Sequence, residues 1–221
     1  MTEKIQHHDF IELDYTGSLP EEVVFDTTVR SVAQQNGIFS DKAAYGPVII
    51  CVGEQQILPG LDAQLVGKEI GREYTIVLAP EAAFGKREVK KMKIVPSSTF
   101  QEHKVQPHPG LQIDMDGERG IVTRVAGGRV MVNFNHPLAG KEVQYTFTIH
   151  RKIIQKQEQI AAFLNTTLRI PVGKMRVKID QEKAGVELPM DLPPQFTDVL
   201  GKKLAELTGL KEITFSKAEQ Q

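Results

Sequence analysis

The side chains that could act as nucleophiles or metal ligands are few in this sequence. The single cysteine, Cys51, lies in the apolar run VIICV, which favours a buried core thiol over a reactive thiolate. One cysteine also excludes an intrachain disulfide and suits a reducing compartment. The histidines His7, His8, His103 and His108 have no cysteine or carboxylate partners at the spacing of a metal site. We therefore expect no metal and no other cofactor.

One carboxylate and three aromatic side chains each allow two interpretations. Asp26 precedes TTVRSVAQQ and could be a helix N-cap, because a carboxylate accepts hydrogen bonds from the first amides of a helix. Tyr15, Phe25 and Tyr145 suit core packing as well as contact with a ligand. Residue type and spacing alone leave these alternatives open.

The amino-terminal region has the pattern of a small sheet with one short helix. Residues 10–15 and 74–78 alternate between apolar and polar side chains, and residues 48–52 form a short buried run. Between them, PGLDAQLVG predicts one or two helical turns that place Leu61 and Leu65 on one face and end at Gly67.

A further strand poses a question of partners. The stretch NFNHPLAGKEVQYTFTIHRK ends with Val143, Tyr145, Phe147 and Ile149 alternating with polar residues, which predicts a half-buried strand. The segment just upstream carries two hairpin signals, Asp116-Gly117 and Gly127-Gly128, and looks like a small β module. The pattern does not say whether the strand pairs with this module or with the earlier strands.

The last seventy or so residues change to a helical period. Apolar side chains from Ile153 to Leu164 and from Phe196 to Leu207 predict two amphipathic helices, the second ending at Gly209. Between them residues 175–179 alternate as a strand, and we expect a turn at Ala184-Gly185. Residues 213–215 predict a final short strand, so this region reads as a separate α+β domain.

Composition excludes several classes of protein. The chain has 221 residues, 40% of them hydrophobic, which is enough for one sizeable core or several small ones. Its 27 basic residues nearly balance 28 acidic ones, so we expect no nucleic-acid partner. No apolar run approaches the roughly 20 residues of a membrane span, and the amino terminus has no apolar signal core. We expect cytoplasmic residence and no membrane association.

Three strings in this order carry a family resemblance: LDYTGSLPEEVVFDTT, YGPVIICVGEQQILPGLDAQLVGKEIGREYTIVLAPEAAFG and NHPLAGKEVQYTFTIHRK. Together they resemble the FKBP-type peptidyl-prolyl cis-trans isomerases, most closely the SlyD-like branch, in which an insert-in-flap domain interrupts the barrel. The carboxy-terminal region is similar to that of long archaeal members. The resemblance implies an α+β protein with an FKBP-like antiparallel sheet wrapped on a short helix, a small β insert and a small α+β carboxy-terminal domain. It implies that the strand at Val143 belongs to the earlier sheet.

The same resemblance implies three domains and a set of site residues. The isomerase domain would comprise residues 1–87 and 133–151, the insert-in-flap chaperone domain residues 88–132, and the carboxy-terminal domain residues 152–221. Catalytic positions implied by the family motifs are Tyr15, Phe25, Asp26, Ile57, Leu58, Leu61, Phe84 and Tyr145. Substrate-binding positions are Val48, Ala83, His136 and Leu138.

The sequence departs from the best-known FKBPs at several of these positions. Leu61 stands where many members have tryptophan, and Val48 and Tyr145 replace phenylalanines. Phe84 stands where the family usually has a tyrosine whose hydroxyl contacts the bound peptide. We therefore expect a working pocket that grips macrocyclic ligands less tightly.

Two functions fit this resemblance. The first is a peptidyl-prolyl isomerase and folding chaperone, whose insert holds unfolded or partly folded proteins through apolar side chains such as Ile113, Met115, Val125 and Met131. The second is a holdase chaperone or binding scaffold with a weakly active pocket. The amphipathic carboxy-terminal helices also suggest a homodimer.

Overall fold

The computed structural model describes residues 3–218. It divides into two compact units. The first unit contains the described residues up to Leu78 and from Val143 onward, and the second is Ala79–Glu142.

The first unit begins with four strands and two short helices. In chain order these are β1 (Phe10–Ser18), β2 (Val24–Thr27), α1 (Arg30–Gln35), β3 (Val48–Cys51), α2 (Pro59–Ala63) and β4 (Glu73–Leu78). The second unit contains β5 (Met92–Pro96), α3 (Ser97–Glu102), β6 (Gln112–Met115), β7 (Glu118–Ala126) and β8 (Arg129–Asn133). The chain then returns to the first unit with β9 (Val143–Lys152), α4 (Lys156–Leu168), β10 (Arg176–Asp180), β11 (Lys183–Leu188), α5 (Pro194–Thr208) and β12 (Glu212–Lys217).

Strand β9 belongs to the sheet begun by the first eighty residues. It runs antiparallel between β1 and β4, with Phe147 opposite both Tyr15 and Tyr74. The other edge of β1 pairs with β2 through its last residues and with β3 through its first four. The predicted alternation of β9 is confirmed, since Val143, Tyr145, Phe147 and Ile149 are all buried. The chain therefore has the expected α+β fold, with an antiparallel sheet wrapped on a short helix.

Helix α2 forms where the sequence pattern predicts it. Pro59 occupies its first position, where the missing amide hydrogen costs nothing. Leu61 and Leu65 point into the core of the unit and are almost fully buried. The helix ends at Ala63 with Gln64 as its C-cap, and Gly67 takes a left-handed conformation four residues after the end.

The second unit is a four-stranded sheet in the order β5-β8-β7-β6. Both predicted hairpin turns are present, and Asp116, Gly117, Gly127 and Gly128 have positive φ. Its small core consists of buried apolar side chains from four elements and the residue after β8: Val95, Phe100, Val122, Val130, Val132 and Phe134. Strand β5 and helix α3 are additions to the predicted elements. Each buries a single side chain, so neither has a periodic signal.

The carboxy-terminal part of the first unit contains the two predicted helices and a three-stranded sheet in the order β10-β11-β12. Helix α5 ends at Gly209, which has φ +66°, as the sequence indicates. The predicted turn at Ala184-Gly185 is wrong, because both residues lie within β11 and pair with Ile179 and Lys178. The turn lies at residues 181–182, where Gln181 has φ +51°. A non-glycine residue in this conformation leaves no turn signal in the sequence.

The two parts of the first unit share one hydrophobic core. Phe10, Cys51 and Ile153 belong to the same buried cluster as side chains of α4, α5 and β11. Cys51 is fully buried, as its apolar neighbours predict. The division of the chain into three domains remains a prediction. Among the helices of the described residues, none has the length and hydrophobicity that crossing a bilayer demands.

Candidate active site

Three of the predicted site residues form an aromatic cluster on the sheet. The ring of Tyr145, on β9, lies 5.9 Å from the ring of Tyr15 and 5.9 Å from that of Phe25, which meets it edge-on. Such centroid distances are typical of favourable aromatic pairs. Gly17 pairs with Tyr145 in the sheet, and a Cβ there would lie 2.9 Å from ring carbons of both Phe25 and Tyr145. The glycine of the YTG motif therefore lets the rings pack against the backbone.

Asp26 supplies the carboxylate beside this cluster. It lies in β2, and its carboxyl group accepts a hydrogen bond from the Tyr15 hydroxyl. The alternative of a helix N-cap is wrong, since the residue preceding α1 is Val29. Burial raises the pKa of the Asp26 carboxyl group, and the hydrogen bond from Tyr15 opposes that rise. The residue is exposed as a whole, but its carboxyl group faces the cluster.

The tyrosines of the cluster are held neutral. Burial, followed by the charge and hydrogen bond of Asp26, raises the pKa of Tyr15 to about 12. Burial and the charge of Asp26 also raise the pKa of Tyr145 above its usual value. The cluster thus presents two phenols that remain hydrogen-bond donors at neutral pH, in a largely apolar wall.

Two threonines that sequence analysis overlooked fix β2 against β1. The Thr28 hydroxyl donates to Asp14 Oδ1 at 2.6 Å and accepts the amide of Tyr15 at 3.0 Å. The Thr27 hydroxyl donates to the Tyr15 carbonyl at 3.1 Å. Both threonines are buried, and their only sequence signal is their place directly after Phe25 and Asp26.

Ile57, Leu58 and Leu61 lie together at the start of α2. Ile57 and Leu58 are half-buried, and Leu61 is 1% exposed. The Leu58 carbonyl accepts the amides of Leu61 and Asp62 at 2.9 and 3.0 Å. Within residues 3–218 the Leu58 amide donates no hydrogen bond, so it is available to a substrate carbonyl. Val48 is half-buried at the start of β3, opposite Leu13.

The segment before Leu58 is shaped by Asp62, a residue that sequence analysis did not single out. Its carboxylate accepts hydrogen bonds from the amides of Gly53 at 2.9 Å and Gln55 at 2.8 Å, and the residue is only 2% exposed. Gly53 and Gln55 both have positive φ, so the loop needs this anchor to hold an uncommon path. The available signal was an acidic residue in the first turn of a predicted helix.

The remaining predicted residues lie in the second unit. The rings of Phe84 and His136 are stacked, with centroids 4.5 Å apart and planes 1° from parallel. The His136 ring also accepts the amide of Leu138 at 3.2 Å. Ala83 and Leu138 are half-buried. The structure therefore brings the AFG segment and the NHPLAG turn together within this unit.

No group of three or more His, Cys, Asp or Glu side chains within residues 3–218 is arranged to hold a metal ion. The site as described consists of aromatic and aliphatic walls, one carboxyl group and a free amide. This composition can bind an apolar ring and donate a hydrogen bond to a carbonyl oxygen, and it contains no activated nucleophile.

Comparison with known proteins shows the family of the chain. Residues 1–101 match the family model described as FKBP-type peptidyl-prolyl cis-trans isomerase, and residues 93–138 match the model described as FKBP26, IF domain. A probable FKBP-type 16 kDa peptidyl-prolyl cis-trans isomerase of Pseudomonas fluorescens is 33% identical over 114 residues, covering 49% of this chain and 73% of that protein. The chain belongs to the FKBP-type peptidyl-prolyl cis-trans isomerase family.

Two other relatives extend the match. A short-type peptidyl-prolyl cis-trans isomerase of Methanocaldococcus jannaschii is 29% identical over 149 residues, covering 67% of this chain and 94% of that protein. An FKBP-type isomerase of Vibrio cholerae named SlyD is 29% identical over 143 residues, covering 61% of this chain and 71% of its own length. The three FKBP domains of wheat FKBP73 align at 14% identity with a TM-score of 0.37, over 69% of this chain and 42% of that one.

Proposed function

We propose that this protein catalyses cis-trans isomerisation of prolyl bonds in unfolded or partly folded proteins, without a covalent intermediate. The observation that carries this proposal is the packing of Tyr15, Phe25 and Tyr145 around the Tyr15–Asp26 hydrogen bond. These are family positions in a chain that belongs to an isomerase family. The physical requirements of the reaction explain why such a site suffices.

The prolyl amide resists rotation because its planar form is stabilised by resonance. The barrier is about 18–20 kcal/mol, and the twisted transition state has lost much of the resonance and of the charge separation. An apolar pocket penalises the polar planar form more than the twisted form. Ile57, Leu58 and Leu61 grip the pyrrolidine ring and exclude water in this proposal, and Phe84 is proposed as a further catalytic position. No general acid or base is required.

Two polar groups orient the substrate. The Leu58 amide, which is free within the described chain, holds a substrate carbonyl. Asp26 orients dipoles at the edge of the pocket, with its own carboxylate fixed by the Tyr15 hydroxyl. Val48, Ala83, His136 and Leu138 are proposed to contact the flanking residues of the substrate. All of these interactions can strengthen as the amide twists, which is the condition for acceleration.

The second unit is proposed to hold the client protein. It exposes Val89, Ile94, Val105 and Val125 to solvent, whereas Ile113, Met115 and Met131 are half-buried. A groove of about 630 Å³ runs beside β6 and β7 and includes Phe134, His136 and Pro137 in its lining. Exposed aliphatic side chains and a groove in the same unit suit extended apolar segments of many sequences.

Cytoplasmic residence and a homodimer are further parts of the proposal. Helix α5 exposes Phe196 and Val199, at 44% and 68%, three residues apart, and these two side chains are proposed to contact a second copy of the chain. Neither nucleic acid nor a membrane is needed by the proposed reaction. The basic and acidic residues remain balanced, which gives no reason to add such a partner.

A protease-free assay of prolyl isomerisation in a short peptide tests the activity directly. The expected result is catalysis that saturates with peptide and is strongly lowered by altering the aromatic cluster. Suppression of aggregation without any acceleration of isomerisation would instead establish the second candidate, a holdase with a weakly active pocket.

A further inference from the structure

The loop that carries Leu58 is held at its base by two helices outside the isomerase sheet. Gln56, two residues before Leu58, accepts the Cys51 amide through Oε1 at 2.8 Å. Its Nε2 reaches helix α4, where it donates to the Thr167 hydroxyl at 3.2 Å and to the Phe163 carbonyl at 3.5 Å. One side chain therefore connects the strand, the loop and the helix.

Helix α5 holds the same loop through an ion pair. Lys203 Nζ lies 2.7 Å from Glu54 Oε1, and His8 Nε2 lies 3.4 Å from the same oxygen. The Glu54 side chain is only 13% exposed, so this pair is better shielded from solvent than an ordinary surface pair. The hydrogen bond to Glu54 raises the pKa of Lys203 and keeps its ammonium charged.

The strand beneath the loop is attached to α4 as well. The Thr166 hydroxyl donates to the Ile49 carbonyl at 3.3 Å. Cys51, at the end of β3, lies in the hydrophobic core that also contains Phe163 and Leu164. Helices α4 and α5 therefore contact this part of the chain at three places: α4 at β3 and at Gln56, and α5 at Glu54.

We propose that α4 and α5 brace the substrate loop, with Gln56 and Lys203 as positioning residues that hold the Leu58 amide in place for the substrate carbonyl. Asp62, on helix α2, anchors the same loop by accepting hydrogen bonds from the amides of Gly53 and Gln55. The hydrogen bonds of Asp62 reach Gln55 but not Gln56. Gly53 and Gln55, within the loop, both have positive φ. Without the brace the loop samples more conformations, and the carbonyl-binding amide is presented less often.

This inference rests on the proposed function and assigns a role in it to the carboxy-terminal part of the chain. Because the loop contributes substrate binding, a loosened brace raises KM more than it lowers kcat. The expected increase in KM is about 3- to 10-fold for each variant, the range that loss of one hydrogen bond typically gives.

The test uses Thr167→Val and Lys203→Met in the full chain, with Lys202→Met as the matched control. Lys202 is exposed on α5 and has no ion pair within residues 3–218. Steady-state assays on a prolyl peptide give kcat and KM, and NMR hydrogen exchange follows the amides of Gln56 and Leu58. The amide of Phe147 in β9 reports on general destabilisation. Lys203→Arg, which keeps the charge, should restore wild-type values.

Faster exchange at Gln56 and Leu58 with a raised KM, and no change at Phe147 or in the control, supports the brace. Unchanged KM, or an equal rise in exchange at Phe147, would overturn it. If the wild-type protein has no isomerase activity, the proposed function fails. In that case NMR titration with the same peptide tests whether α4 and α5 position the loop. Weaker peptide binding by Thr167→Val and Lys203→Met than by the wild type supports the proposal, and equal binding refutes it.

Discussion

The Tyr15 hydroxyl donates a hydrogen bond to the Asp26 carboxyl group, and this bond joins β1 to β2 beside the ring of Tyr145. The bond fixes the direction of the only carboxylate in the aromatic cluster. The bond also favours the ionised form of Asp26. Removing the Tyr15 hydroxyl should therefore change the pKa of Asp26, and a titration of this carboxyl group can test whether the bond is present.

We expect Tyr15→Phe to raise the pKa of Asp26 further above its usual 3.8, because the hydrogen bond from Tyr15 favours the ionised carboxyl group. A raised pKa means that the folded protein binds this proton more tightly than the unfolded chain does. Its contribution to stability is thus present below pH 3.8 and lost as the pH rises through the folded-state pKa. Because Tyr15→Phe raises the folded-state pKa, the contribution of Asp26 to stability should persist to a higher pH in this variant.

Carbon-detected NMR of the Asp26 carboxyl group measures this pKa, and unfolding at several pH values measures the window. Tyr74→Phe is the control, since the Tyr74 hydroxyl contacts the Glu69 amide instead. An Asp26 pKa that falls or stays constant in Tyr15→Phe would contradict the assigned hydrogen bond.

Phe25→Ala and Asp26→Ala should each lower kcat/KM for a prolyl peptide by about tenfold or more, which corresponds to at least ~1.4 kcal/mol of transition-state stabilisation. Phe25 contributes an edge of the aromatic wall, and Asp26 contributes the fixed carboxylate. Circular dichroism should show that both variants remain folded, because neither residue is in the fully buried core. Full activity in both would remove the site assignment.

Phe84→Tyr should tighten binding of a macrocyclic FKBP ligand by a factor of a few, because one neutral hydrogen bond contributes about 1 kcal/mol. The Phe84 ring stacks on His136, so the added hydroxyl extends from a ring that is already held in place. Isothermal titration calorimetry measures the change. Phe196→Tyr on the exposed face of α5 is the control and should bind as the wild type does. Weaker binding by Phe84→Tyr would mean that this position does not face the pocket.

The sequence predicted most of the elements that carry the site, for identifiable reasons. Strand β9 alternates strictly, and α2 has proline at its start and glycine beyond its end, so both have local signals. Tyr15, Phe25 and Asp26 were predicted as site residues from family motifs, since residue type alone fitted core packing for the two aromatics and a helix N-cap for Asp26. Their meeting with Tyr145 depends on pairing between segments more than a hundred residues apart.

The residues that support the site left weaker signals. Asp62 and Thr28 act through hydrogen bonds from backbone amides 7 to 13 residues away, and Gln56 acts through helix α4, more than a hundred residues away. Polar side chains of this kind carry no periodicity, and nothing local distinguishes them from solvent-exposed residues. The misplaced turn at Ala184-Gly185 has a related cause, because the actual turn uses Gln181 in a conformation that usually attracts glycine.

Self-association through α5 predicts a concentration-dependent mass. Val199→Glu places a charge on the exposed apolar face of the helix and should convert a dimer into a monomer, because burying an unpaired carboxylate is costly. Size-exclusion chromatography with light scattering gives the mass of both proteins. Asp198→Glu, the neighbouring residue, is the control. A wild-type chain that is monomeric at tens of micromolar would refute the proposed dimer.

Replacing residues 88–132 with a short glycine-containing loop should separate isomerase activity from client holding. The ends of this segment lie close together, since the Glu88 amide donates to Asn135 Oδ1 at 2.8 Å and Asn135 Nδ2 donates back to the Glu88 carbonyl at 3.0 Å. A short loop can therefore bridge them at a modest cost in closure entropy. The variant keeps Phe84, His136 and the aromatic cluster, so we expect activity on short prolyl peptides within about threefold of the wild type.

The same variant should lose most of its acceleration of proline-limited refolding and its suppression of aggregation. Clients held by the exposed aliphatic side chains of the second unit present their prolines at a raised effective concentration, and the deletion removes that surface. Refolding of a proline-limited protein and light scattering of an aggregating one measure the two effects. Ile94→Ser and Val125→Ser in the intact chain provide a milder version that preserves the loop. If the deletion variant refolds the client as fast as the intact chain does, the insert is not the client-binding element.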